Sequence, residues 1–162
     1  MNLWQRLREL SWQQLWHFAA LFLRNPKYIL PTLSATQRTF TLCNELYGTA
    51  HHKSNRANAF RHALWNLLIC KYVQKRTKNE AKSTTWAKKV TDLYEKVTQN
   101  EKMDEAMDLH NNDLGRRWFP LSIDKNEAEI VTFLQKKTEN AQKINSLDEI
   151  MQHSKNLVYL TS

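Results

Sequence analysis

The chain is 162 residues long, carries a formal net charge of +8, and contains only 2 Gly, 3 Pro and 2 Cys. That length suits one domain able to bury roughly two-thirds of its unfolded surface without disulfide support. So few special backbone positions exclude a turn-rich β architecture and point to an all-α fold.

The charge is unevenly placed. Residues 1–79 hold twelve Lys/Arg against Glu9 and Glu45, and no acid at all lies between Glu45 and Glu80. Lys53, Arg56, Arg61, Lys71, Lys75, Arg76 and Lys78 fill that window, a field that attracts phosphate on nucleic acid or anionic lipid. Cys43 and Cys70 fall in apolar-periodic segments and read as small hydrophobes in a reduced state.

In chain order, residues Leu3 to Arg24 predict a helix rich in aromatics (Trp4, Trp12, Trp16, Phe18, Phe22), with Pro26 and Pro31 marking a break. Its uncharged run, Leu10 to Leu23, has fourteen residues, short of the about twenty that a membrane span needs. Docking on the body or lying at a bilayer surface fits better than a cleaved signal, because no small-x-small cleavage site follows.

Ser34 predicts the N-cap of a second helix and Gly48 its stop. The loop His51-His52-Lys53 reads as solvent-facing. A third helix is expected from Arg56 or Ala57 to Arg76, with Phe60, Ala63, Leu64, Leu67, Leu68 and Tyr72 forming a stripe wide enough for central burial. Ser83 or Thr84 opens a fourth, packed through Trp86, Val90, Leu93, Tyr94 and Val97, with Glu95 at the edge of the stripe. A fifth runs from Glu101 to Trp118. Asp124 with Glu127, and Ser146 with Glu149, have capping-box spacing and open a sixth and a short seventh helix. The result is one compact bundle of about six or seven helices. An amphipathic N-terminal helix over 1–25 is set apart from a helical domain over 34–162.

Polar chemistry concentrates on two of these rods. Asn58, Arg61, His62 and Trp65 share one helical face, and Asp108, Asn111, Asn112 and Gly115 share another. Such groups on core-facing positions must satisfy one another or hold a ligand. His62, Glu95 and Asp108, from three helices, form a one-histidine, two-carboxylate set that suits Zn, Mn or Fe and a metal-activated water. Without a metal, His62 serves as general base oriented by Asp108 or Glu95, while Asn58, Asn111 and Asn112 aim amides at an oxyanion. Arg61 and Arg116 are natural clamps for phosphate. His110 lies two residues from Asp108 and so on the far side of its helix. No Gly-rich phosphate loop, Cys-x-x-Cys pair, His-Glu-x-x-His helix, Gly-x-Ser-x-Gly elbow or adjacent His-Asp pair occurs.

Asn58-Ala-Phe-Arg-His-Ala63 and Met107-Asp-Leu-His-Asn-Asn112 followed by Gly115-Arg116 resemble the two motifs of an uncharacterised bacterial helical domain family. The resemblance covers roughly Ala35 to Trp118. Members occur as stand-alone proteins and in toxin-like or secreted multidomain settings, which implies an effector role. The family often carries a His-Glu pair on the intervening helix. Here that place is Tyr94-Glu95, so the glutamate is kept and the histidine is not.

The expectation is therefore a small hydrolase, with or without metal assistance, centred on His62, Glu95 and Asp108. Its substrate is expected to bear phosphate or an ester, with lipid favoured over nucleic acid. The location is cytoplasmic or membrane-peripheral, with no transmembrane span. The alternative is a non-catalytic basic module that binds nucleic acid, an anionic membrane or a protein partner around a structural polar core.

Overall fold

The computed structural model describes residues 11–98 and 101–161, and the stretch of the expected first helix before Ser11 lies outside them. Seven α-helices are present among the described residues. The all-α expectation holds. The first, α1 (Trp12–Leu23), turns Leu21 and Phe22 inward, where Phe22 meets Trp86 with ring centroids 5.8 Å apart.

A 3₁₀ turn at Pro26–Tyr28 leads into α2 (Ile29–Tyr47), which begins five residues before Ser34. The earlier start costs little, because Pro31 sits in the first turn, where no intrahelical partner awaits its missing N–H. Thr32 and Thr36 each return a hydroxyl to the carbonyl four residues back. They also accept hydrogen bonds from the indoles of Trp86 (2.9 Å) and Trp65 (2.8 Å), which ties α2 to two other helices. Gly48, at φ +55°, ends α2 as expected and donates its N–H to Asn44 O.

The central rod is α3 (Arg56–Thr77), capped by Asn55, whose side-chain oxygen accepts from the Asn58 N–H. Phe60, Leu64, Leu67, Leu68 and Ile69 are all fully buried, so α3 is wrapped on nearly every side by α2, by α4 (Glu80–Thr98), by α5 (Lys102–Arg117) and by α6 (Glu127–Glu139). Its apolar residues come from several faces, the mark of a buried helix.

Two more starts differ from expectation. Helix α4 opens at Glu80, where Asn79 Oδ1 accepts from the Lys82 N–H. Ser83 is instead buried and bonded to Gln74 and to Asn79 O. Helix α6 takes its capping box from Asn126 and Glu129, two residues later than Asp124 and Glu127, and this leaves Glu127 to accept the Arg38 guanidinium. The short α7 (Leu147–Gln152) follows Ser146 as expected. A two-residue parallel pair, β1 (Gln142–Lys143) and β2 (Val158–Tyr159), was not legible because two residues show no periodicity.

One contact sets the geometry of the interior. A Cβ placed on Gly115 of α5 would lie 2.3 Å from Ala63 O on α3, so these two backbones approach as closely as glycine allows. This is the crossing that carries the two polar faces toward each other.

Candidate functional site

His62 lies between two carboxylates. Its Nδ1 is 3.4 Å from Glu95 Oε1 and its Nε2 is 3.3 Å from Asp108 Oδ1, so three helices (α3, α4 and α5) converge on one imidazole. One donor atom from each of the three residues lies within 4.8 Å of the other two. Side-chain exposure rises from 0% at Glu95 through 2% at His62 to 6% at Asp108, which makes Asp108 the outermost member.

The neighbours fix the protons. Arg61 Nη2 lies 2.7 Å from His62 Nε2, and a guanidinium can only donate, so Nε2 accepts there and the ring proton sits on Nδ1. That proton faces Asn112 Oδ1 at 3.1 Å. Asn112 in turn donates from Nδ2 to Glu95 Oε1 (2.9 Å). The Nε2 contact with Asp108 then sets two acceptors 3.3 Å apart, an arrangement relieved by a proton on either group or by a cation.

Charge bookkeeping agrees. Arg61 balances one of the two buried carboxylates, and a shared proton or a cation must balance the other. Burial pushes the Asp108 carboxyl up to about 6. His62 pulls it down, Glu95 raises it, and Arg61 and Asp104 make smaller contributions of opposite sign. The outermost acid of the set thus titrates close to neutrality, where a proton-transfer group is most useful.

A second ring of polar groups holds the first. Asn66, fully buried one turn after His62, donates to His62 O and to Asn112 Oδ1 (2.6 Å). Its own Oδ1 accepts from Thr91 (3.1 Å) and from Arg116 Nη1 (2.8 Å). Arg116 also reaches Thr91, and pairs with Asp113 at 3.3 Å. Its fork therefore props the network behind His62. Asn66 and Thr91 escaped the sequence reading, although Asn66 is at i+4 from His62 and Thr91 at i−4 from Glu95. Neither stands among the stripe or polar-face residues that the sequence singles out.

The remaining residues separate by role. Asn111 exchanges two hydrogen bonds with the backbone of Val158, donating to its oxygen (2.9 Å) and accepting from its N–H (3.0 Å), and so pins β2 to α5 like a neighbouring strand. Asn58 is buried one turn before His62, and its Oδ1 has no hydrogen-bond partner. Arg61 is anchored by a second bond from Nη1 to His51 O.

The expectation of solvent-facing loop histidines fails at His51. It is fully buried, bonded through Nε2 to Asn44 Oδ1 and stacked near His52 and Phe40, because its carbonyl is what holds Arg61 in place. His110 faces away from the site and bonds to Asn156 O, as its position two residues from Asp108 requires. Tyr94 packs edge-on against Trp65, which in turn stands edge-on to His62.

The model of the family described as "Domain of unknown function (DUF6973)" matches residues 19–142. The chain belongs to that family. Both polar motifs and all three members of the central set fall inside the matched span, whereas α7 and β2 lie beyond it. Asn111 is thus one of the residues, with His110 and Arg117, through which the matched domain grips the segment that follows. No curated protein and no solved structure matches the chain.

Proposed function

We propose that this protein is a small hydrolase in which His62 and Asp108 move the proton and Glu95 and Asn112 orient the imidazole. The observation that carries the reading is the imidazole held between two buried carboxylates, the outer of which titrates at about 6. Keeping two acids and a histidine in a nearly dry interior costs stability, and an arrangement used in catalysis accounts for that cost. Substrate or water meets Asp108 first. The His62–Asp108 pair takes a proton from the attacking water and returns it to the leaving oxygen, and the orphaned Asn58 Oδ1 offers a polar contact one helical turn away. Arg61, a fixed positive charge beside Nε2, favours an anionic group, so a phosphate-bearing or ester substrate fits best.

A metal-assisted version rests on the three donor atoms within 4.8 Å. Glu95 and Asp108 face opposite nitrogens of the ring, so a cation that displaced the Arg61 guanidinium from Nε2 would take Asp108 as its partner and leave Glu95 to orient His62 from Nδ1. Zn, Mn or Fe suits such nitrogen and oxygen donors. The non-catalytic reading, a basic binding module, loses one of its cations, because Lys71 Nζ is committed to the carbonyls of Ser122, Ile123 and Lys125.

The test is hydrolysis of p-nitrophenyl acetate and bis-p-nitrophenyl phosphate against pH, with elemental analysis of untagged protein alongside. The parent should turn over at least one ester with an acidic limb near pH 6, and Asp108→Asn and His62→Gln should each lose on the order of 100-fold in kcat/KM. Turnover that survives both substitutions, or none in the parent with every metal supplied, ends the proposal. A tightly held metal at near-equal stoichiometry selects the second version.

A further inference from the structure

The face of α1 that points away from the core is apolar and uncovered. Trp12 is 89% exposed, Trp16 69% and Leu23 73%, and at helical spacing the three lie within about 40° of one another around the axis. The opposite side packs inward through Leu21 and Phe22, with Phe18 stacked on Phe22, so the wet face of the helix is aromatic instead of charged. Leu30, in the first turn of α2, is also 68% exposed.

Charge decides what this face meets. Arg24 and Lys27, both exposed, stand in the turn at the end of the stripe, and no acidic residue occurs between Ser11 and Asn44. A protein groove that received such a helix would be apolar and need no such bias. A bilayer surface supplies both chemistries at one depth: apolar chain ends and interfacial space for indoles, with anionic headgroups for the flanking cations. No helix among the described residues is long and apolar enough to cross a membrane.

We infer that α1 docks the protein on anionic phospholipid surfaces, with Trp12, Trp16 and Leu23 inserted to headgroup depth and Arg24 and Lys27 paired with phosphate. The inference stands on its own observations, and its test needs no turnover. It also bears on the proposed hydrolysis. The same α4 that supplies Glu95 holds α1 in place through Trp86, which touches both Phe22 and Tyr28. Lipid bound at the outer face of α1 would therefore be separated by that one helix from the α4 that carries Glu95.

The experiment is co-sedimentation of the full chain with large vesicles of phosphatidylcholine, with and without about one-third phosphatidylglycerol. The parent should partition onto the anionic vesicles with a blue shift in tryptophan emission, and raising the salt should weaken it. Trp12→Ala with Trp16→Ala should cut partitioning at least about tenfold. Its circular-dichroism melt should stay that of the parent, since neither indole is buried. Arg24→Glu with Lys27→Glu should remove the preference for the anionic lipid. Asp108→Asn should bind like the parent, which separates this inference from the hydrolase reading. Equal binding by the double-tryptophan variant, or no partitioning by the parent, overturns it. So does a dimer in sedimentation velocity that the double-tryptophan substitution dissolves, because a second copy of the chain would then be the occupant.

Discussion

Asp108→Asn should make the protein more stable at alkaline pH while removing the proposed hydrolysis. The carboxyl moves from an ordinary 3.8 to about 6 in the fold, chiefly through burial. Between those two values the native chain keeps a proton that the unfolded chain has already released. The contribution of Asp108 to stability is therefore whole below pH 3.8, declines as pH rises, and is lost above about 6. A difference of about two pH units corresponds to about 3 kcal/mol. Asparagine has the same shape and no charge to bury, so the variant escapes that penalty. In a chain of this length each kcal/mol moves the melting midpoint by about 2–4 °C, so at pH 8 the variant should melt about 6–12 °C above the parent. At pH 4.5 the advantage should shrink to about 1 kcal/mol.

The assay is a pair of thermal melts at each pH, checked by urea unfolding. A variant less stable than the parent at both pH values would refute the reasoning, for it would mean that the charged carboxylate is a net stabilising partner of His62 and Arg61. The pH dependence is what discriminates. A structural ion pair loses stability on substitution most at high pH, where the carboxylate is charged, which is where the buried-acid account predicts the largest gain.

Two further outcomes follow from packing. Gly115→Ala drives a methyl group to 2.3 Å from Ala63 O and under 3 Å from two more backbone atoms of α3. The helices must part, at a cost of about 1–3 kcal/mol that outweighs the about 1 kcal/mol gained in helix propensity. Urea unfolding should report a net loss, and because Ala63 adjoins His62 any hydrolysis should fall with it. A neutral or stabilised variant would contradict the close approach. Cys43 and Cys70 are free and buried, and burial pushes both thiols up to about 12, so Ellman's reagent should leave both untouched in native protein and titrate two thiols after unfolding. Fast modification of either without urea would show that its packing is loose.

The helices were legible because their signals are local. The polar centre was legible because Asn58, Arg61 and His62 share one helical face and Asp108 and Asn112 share another, and because buried polar groups seek one another. What stayed hidden needs three dimensions. Asn66 looks like one polar residue in an apolar stripe until Arg116, Thr91 and Asn112 are seen to converge on its amide. Arg116 looks like a phosphate clamp until its fork is seen turned inward. Lys71 belongs to a basic window by sequence and to the turn after α5 by structure. In each case the sequence supplied the donor and left the acceptor to be found on another helix.

The two rings of the site behave differently for the same reason. In the outer network, Asn66 and Arg116 have their bonds met by fixed neutral partners or by Asp113, so they set geometry and have little cause to exchange protons. In the inner set, the Nε2 contact with Asp108 cannot be satisfied by geometry alone, because two acceptors face each other across 3.3 Å. A proton that can reside on either group relieves it, and so does a cation. Asp108 Oδ1 and Asn58 Oδ1 are both buried without a hydrogen-bond partner, and Asp108 is the outermost member of the central set, so unmet polar demand gathers where the proposed reaction would meet its ligand. That is why a change of charge at Asp108, more than loss of any amide around it, should separate stability from activity.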